Sequence, residues 1–327
     1  LLMVGVVVLS WLSYRFVENH YRNRPWSFKK SFMVFIFVPL LIIWAIQSTI
    51  RIADDLSFRI PEERRALYQV IANNNPADLY KRCFKGDPVE FNQGKACLFG
   101  AESENGQPNS MLIGDSHAIA QIGFVEQLIK GTDHSLLMVT RASTPFLPTH
   151  IAEKVQAADP TQVARNQALS DYLGQRPMTV FMGAWWSAYL KNNAFQGYFL
   201  DTIGWLKDQG HTVIILEDVP ELPSSDFAEC LLKNMDDCSI SATKAEQNLE
   251  NFYRFRAAAK QRFPDVKWIN PRKVLCDAQR CQTVLNGIPL YRDESHLNNV
   301  GAIEIGKVYL ERFGNPLGGD EKQTAPQ

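Results

Sequence analysis

The chain of 327 residues is short of the signatures that would assign it at a glance. It has no glycine-rich phosphate loop, so nucleotide binding has no support in the sequence. It has no CxxC and no neighbouring histidine pair, which removes the usual zinc frameworks and leads to an expectation of no bound metal. No internal repeat organises it. Charge of one sign is not in excess: 34 Lys and Arg face 35 Asp and Glu, for a formal net charge of −1. With the signs mixed along the chain, nothing suggests a nucleic-acid surface. Charge is missing altogether from two apolar runs near the start, and cysteine is missing from everything before Cys83.

Those two absences carry a topology. Residues 31–50 hold no charged side chain and are about long enough to cross a bilayer, with only Pro39 and Gln47 against that reading. Residues 1–17 begin at Leu1 inside an apolar run and read as the end of a truncated transmembrane helix, so the chain reads as a piece of a longer protein. A second apolar segment directly upstream of 31–50 argues against a signal peptide. The loop between them, residues 18–30, carries Arg22, Arg24, Lys29 and Lys30 against Glu18, with Arg15 just before it. The positive-inside rule makes that loop cytoplasmic and places everything after Ile50 across the membrane, which in a bacterium is the periplasm. All six cysteines fall on that side, an even count suited to an oxidising compartment. Six cysteines allow fifteen pairings; the expectation is the sequence-local set Cys83–Cys97, Cys230–Cys238 and Cys276–Cys281.

From residue 109 onward, strands and helices alternate. Short apolar runs at 111–113, 136–140, 178–182, 213–216 and 266–269 read as buried strands. Helical periodicity occupies 118–130, 161–174, 194–209, 242–263 and 299–313. Five such strands separated by helices predict a parallel sheet covered on both faces, and right-handed crossovers narrow this to a flavodoxin-like three-layer α/β/α domain over 109–315. Residues 51–108, with a helix expected at 61–71, read as an extension packed on that domain. Residues 316–327 read as a polar tail.

The first strand leads directly into Gly114-Asp115-Ser116-His117, which turns the chain into a helix. A serine at that junction sits where open α/β sheets place their ligands. It is a candidate nucleophile, and also a natural helix N-cap. Near the other end, Asp293 and His296 stand three apart, so one turn brings carboxylate and imidazole together. Glu294 is the rival for the carboxylate role. Asp115 and His117, flanking the serine, read as structural.

Gly-Asp-Ser-His after a strand, followed most of a domain later by Asp-x-x-His, resembles the SGNH hydrolase/acyltransferase superfamily. The resemblance implies Ser116 as nucleophile, His296 as general base and Asp293 as its partner, with the backbone N–H of Ser116 as one oxyanion donor. The superfamily adds a Gly after its second strand and an Asn after its third. Here the corresponding loops read Arg141-Ala142-Ser143-Thr144-Pro145 and Gly183-Ala184-Trp185-Trp186-Ser187, without either. A backbone amide near Ser143 or the indole N–H of Trp185 would substitute, against the alternative that Trp185 and Trp186 are core or sugar-stacking residues.

The stretch Ser13-Tyr14-Arg15-Phe16-Val17-Glu18-Asn19-His20-Tyr21-Arg22 resembles the end of the last helix of the acyltransferase-3 membrane family. In one branch of that family an extra helix follows and carries a periplasmic SGNH domain. The resemblance implies an inner-membrane O-acetyltransferase acting on a surface polysaccharide such as O-antigen. Its partners would be the membrane acyltransferase domain absent from this chain, the polysaccharide acceptor and the lipid bilayer, with no nucleic acid. Acetyl-CoA would serve as donor to that membrane domain, and this region would bind no cofactor. A membrane-tethered carbohydrate esterase and a non-catalytic glycan-presenting module are the competing readings.

Overall fold

Strand 110–114 has three apolar residues between polar ends, too few for a helix, and it lies at the centre of the sheet, fully buried. The computed structural model describes residues 2–19, 26–52, 97–102, 107–156, 159–222, 238–247 and 249–318, with the single positions Glu62, Arg65, Gln69 and Val70. The chain divides into two units, Leu1–Glu62 and Glu63–Gln327.

In the first unit, Phe28–Arg51 forms 24 residues of apolar helix, none of it buried. At 1.5 Å per residue this spans about 36 Å, enough to cross a ~30 Å hydrocarbon core. The helix begins inside the loop expected to end at residue 30, because Phe28, Lys29 and Lys30 form its first turn. A further apolar helix covers Leu2–Leu12.

The second unit is an α/β sandwich. Its six-stranded sheet comprises β1 (Cys97–Gly100), β2 (Ser110–Gly114), β3 (Ser135–Thr140), β4 (Thr179–Gly183), β5 (Thr212–Leu216) and a strand at Lys267–Ile269. That last strand is β7, since a two-residue strand, β6 (Ile240–Ser241), precedes it and pairs with β8 (Arg280–Cys281) in a separate ribbon. The large sheet has the order β1-β3-β2-β4-β5-β7. All its neighbours are parallel except β1, which runs antiparallel along β3 at the edge. Counting only the parallel strands, the order is 2-1-3-4-5, that of a flavodoxin-like fold.

Alternation along the strands sends side chains to two cores. Leu112, Phe181 and Ile214 face the helices Ile122–Ile129 and Asn299–Phe313, contributing to one core. Met111, Ile113, Val180, Met182, Val213 and Ile215 face the other layer, where Leu169, Phe199 and Phe255 arrive from helices Pro160–Leu173, Asn193–Asp208 and Glu250–Arg262. Both layers are needed because a parallel sheet is apolar on both faces.

Each of the five parallel strands expected from the sequence appears, within two residues at either end. Besides short added ribbons and helical turns, the larger elements differ as follows. Strand β1 extends the sheet to residues before 109, because Cys97–Gly100 finds an open edge on β3. The helix expected at 242–263 is two, Ala242–Gln247 and Glu250–Arg262. An additional helix, Thr149–Val155, follows the β3 loop. Cys276 and Cys281 form a disulfide. Cys97 and Cys238 are disulfide-bonded as well, and their expected partners Cys83 and Cys230 lie outside the described residues, as do most of the helix expected at 61–71 and most of the tail.

Candidate active site

The site lies at the carboxyl ends of β2 and β4, where the chain order of the parallel strands reverses direction. Such a switch point opens a crevice because the connections on its two sides leave toward opposite faces. The ends of both strands are glycines in register, Gly114 opposite Gly183. A Cβ on Gly114 would stand 1.8 Å from the carbonyl oxygen of Gly183. The two tips therefore approach as only glycine permits, and the helix Ser116–Ala120 starts directly against them. Asp115, not Ser116, is the N-cap: its Oδ1 accepts from the amide of His117 at 2.8 Å. Ser116 occupies the first helical position, with its hydroxyl free of capping duty.

Across 180 residues of sequence, His296 reaches that hydroxyl: Nε2 lies 2.8 Å from Ser116 Oγ. His296 Nδ1 lies 2.8 and 3.0 Å from the two oxygens of Asp293. A carboxylate only accepts, so the proton belongs on Nδ1 and the bare Nε2 faces the serine. Asp293 Oδ1 also accepts from the amides of Ser295 at 3.0 Å and His296 at 2.8 Å, and Arg292 Nε approaches Oδ2 at 3.3 Å. Burial opposes the charge, but the bond from His296 and these amides hold the Asp293 carboxyl well below the usual carboxylate range. Glu294 is exposed and offers only its carbonyl, which accepts from Leu222 N at 2.7 Å. A pairing of Tyr291 with Leu297 closes the loop, and Arg292 N donates to His296 O at 3.0 Å. Asn298 then caps the last helix through Gly301 N at 2.7 Å while its amide group donates to Pro289 O at 2.7 Å.

Of the expected site residues, Ser116, Asp293 and His296 are thus brought together. The expected oxyanion donors fare differently. The Trp185 indole N–H is committed to Glu221 Oε1 at 2.6 Å, and the Trp185 amide to Asp115 Oδ2 at 3.0 Å, so this residue has no free donor to aim at Ser116. Both N–H groups lie beside carboxylates and are taken by them, the amide by buried Asp115 and the indole by Glu221. Ser143 is exposed on the turn after β3, with φ 51°, a left-handed conformation uncommon for a residue with a side chain. None of its hydrogen bonds reaches Ser116 among the described residues. Trp186 is a core residue: it is completely buried, stacked at 5.5 Å on Phe255, and its indole donates to Leu216 O at 2.8 Å.

Beneath the triad lies a polar layer that the sequence reading does not anticipate. Arg165 is 1% exposed and donates to the carbonyls of Gly114 at 3.2 Å and Val139 at 3.0 Å, tying together the tips of β2 and β3. Its place was visible in principle, because Arg165 shares the i, i+4, i+8 stripe with Leu169 and Leu173. Asp218, just after β5, accepts from the amides of Trp186 at 3.2 Å and Ser187 at 2.7 Å. Burial, with Asp115 and Glu221 nearby, pushes its carboxyl up to about 8. Glu221 takes the Ser187 hydroxyl at 2.5 Å besides the Trp185 indole. For Asp218 the available signal is an acid two residues after the parallel strand β5. Among the described residues, no group of three or more His, Cys, Asp or Glu side chains is placed to hold a metal ion.

An open α/β domain with serine, histidine and aspartate in line at its switch point holds the groups that acyl transfer uses. The profile of the SGNH domain fused to AT3 domains matches residues 82–311, and the chain belongs to that family. No curated protein matches the chain. Among solved structures it is similar to the periplasmic domain of a Salmonella ser. Paratyphi A lipopolysaccharide acetyltransferase, at 14% identity and TM-score 0.49 over 73% of this chain and 97% of that one. It is also similar to a salicylyl-acyltransferase from a tetracycline biosynthetic pathway, at 10% identity and TM-score 0.37 over 66% and 57% of the two chains. An acetyl xylan esterase is similar at 12% identity and TM-score 0.31 over 62% and 98%.

Proposed function

We propose that this chain carries the glycan-facing half of a membrane O-acetyltransferase, transferring an acetyl group to a sugar hydroxyl of a bacterial surface polysaccharide through an acetyl-Ser116 intermediate. The reading is carried by one observation, the 2.8 Å contact of Ser116 Oγ with His296 Nε2 backed by Asp293, in a family whose domain is fused to AT3 membrane domains. The membrane acyltransferase partner presents acetyl originating from cytoplasmic acetyl-CoA, the helix Phe28–Arg51 spans the inner membrane, and the domain after it works in the periplasm.

In the first step Ser116 Oγ bonds to the acetyl carbonyl carbon while His296 Nε2 takes the hydroxyl proton. Collapse breaks the bond to the donor's leaving group, which receives that proton. In the second step His296 removes the proton of the sugar hydroxyl, whose oxygen attacks acetyl-Ser116; Ser116 leaves and recovers its proton from His296. Asp293 stays ionised throughout, holding the tautomer and balancing the imidazolium. The Ser116 amide is the oxyanion donor in this reading.

The test is polysaccharide acetylation in cells that express the full-length protein, wild type or Ser116→Ala, at equal membrane abundance. Loss of acetylation in the variant supports the transferase. Normal acetylation would reduce this domain to presenting the glycan. Free acetate released in place of acetylated glycan would make it an esterase.

A further inference from the structure

His117 follows the nucleophile directly and is 4% exposed, yet neither of its ring nitrogens has a hydrogen-bond partner among the described residues. The nearest carboxylate oxygen, Asp115 Oδ1, is 4.0 Å from Nδ1, too far for a bond. What the ring does touch, it touches with its faces. Its ring centroid lies 4.3 Å from that of His296, tilted by 36°, and 4.9 Å from that of Trp185, stacked at 23°. Trp185 in turn cannot recede, because its amide is held by Asp115 and its indole by Glu221.

We propose that His117 is a positioning residue for His296: clamped against Trp185, its ring keeps the imidazole in line with Ser116 and presents an aromatic face to the imidazolium that forms when the serine proton moves. This assignment rests on the acyl-transfer reading of the triad. An aromatic face within about 6 Å attracts a cation, more strongly where water is excluded. The role requires that His117 itself stay neutral. Burial, and then the charge on His296, push it down to about 3, with Glu221 and Asp293 pulling the other way. The charged and titratable groups facing the pair are therefore Asp115, Glu221, Asp293 and, next to Asp293, Arg292.

The experiment separates ring face from ring nitrogen. His117→Phe keeps the face and loses the nitrogens; His117→Gln keeps a donor and loses the face. The readout is the rate at which a fluorophosphonate probe labels the intact chain in membranes, measured from pH 5 to 9. In that reaction Ser116 Oγ bonds to phosphorus, fluoride leaves, and His296 accepts the hydroxyl proton. The expected result is a His117→Phe rate within about twofold of wild type at every pH. His117→Gln should label ~10-fold more slowly, the effect of one desolvated cation–π contact, with the acid limb of its profile moved to lower pH. A Phe variant slowed as much as Gln, or a Gln variant like wild type, overturns the assignment; Phe slow with Gln normal shows instead a hydrogen-bond donor. If His117→Gln does not fold, the Phe rate alone decides, and a loss beyond about threefold sinks the proposal. Ser116→Ala is the separate control: persistent labelling there would strike at the triad reading and not at His117.

Discussion

Ser116 and His296 meet at 2.8 Å but are held by two different kinds of structure. The serine rides on the central strand of a parallel sheet whose side chains are fully buried, and its position is fixed by two cores and by the contact of Gly114 with Gly183. The histidine rides on a short irregular loop that positions itself: Asp293 accepts from its own next two amides but one, Tyr291 pairs with Leu297, and Asn298 caps the following helix. The difference teaches that the nucleophile is placed by long-range packing and the base by local hydrogen bonding. A single substitution should therefore damage the two by different routes.

The largest effect tests whether the two regions act as one device. Ser116→Ala and His296→Ala should each lower acyl transfer by ~10⁴-fold or more, and the double variant should lose little beyond either, because one loss already disables the covalent route. Asp293→Asn should cost about 10³-fold, since it leaves the imidazole in place in the wrong tautomer. Quantified glycan acetylation at matched protein levels checks all four. Additive losses in the double variant would mean that the residues contribute separately.

Next in size is a break on the sheet side alone. Gly114 has φ 145°, and an added methyl would meet both the Gly183 carbonyl and, at 2.8 Å, the Ala118 Cβ. Gly114→Ala should cost about 3 kcal/mol or more through backbone strain and collision. That corresponds to a fall of roughly 6–12 °C in the melting temperature of a domain this size, read by calorimetry. A melt within 2 °C of wild type would show that the two strand tips can part without penalty.

The same contrast explains what was legible in the sequence. The five parallel strands were readable because a two-faced buried strand must be a short apolar run, and the crossovers between them leave few topologies. The base was readable only through the Asp-x-x-His spacing, which happens to encode a local turn. The oxyanion side was not readable, because it depends on what Trp185 meets after folding, and its donors are taken by Asp115 and Glu221 from distant points in the chain. For Arg165 the helical stripe marks its burial but not its partners, which are backbone carbonyls at the ends of two strands. Strand β1 was missed because an edge strand of four residues needs only a free neighbour, not a distinctive sequence.

A smaller effect probes the loop side. The Cys276–Cys281 disulfide closes a five-residue separation beside the ribbon of β6 and β8, and Gln282 N donates to Leu275 O at 2.7 Å across it. Replacing both cysteines by serine should cost ~2 kcal/mol by loop entropy. The disulfide touches none of the three triad residues, so the folded variant should label with fluorophosphonate within about twofold of wild type. A lower melting temperature with an unchanged labelling rate separates stiffness of the loop from placement of the base; a rate that fell in step with stability would join them.

The smallest effect concerns pH and falls on the residue between the two regions. Buried His117 titrates at about 3, against ~6.5 in an unfolded chain. Between those values the unfolded state binds a proton that the folded state refuses, so stability is fully present above the unfolded value and is lost as pH falls toward the folded one. At pH 5.5, about one unit into that window, the loss from this group is ~1 kcal/mol. His117→Phe cannot bind the proton in either state and should lack that part of the slope. Melts of wild type and variant at pH 7.5 and 5.5 measure it: the wild type should lose about 2–4 °C more than the variant on acidification. Asp293 should not confuse the comparison, because a depressed carboxyl keeps its contribution down to its unfolded value near ~3.9 and loses it only below that. Equal losses in the two proteins would mean that His117 accepts a proton in the folded state, and a cation there would repel the imidazolium that the triad must form.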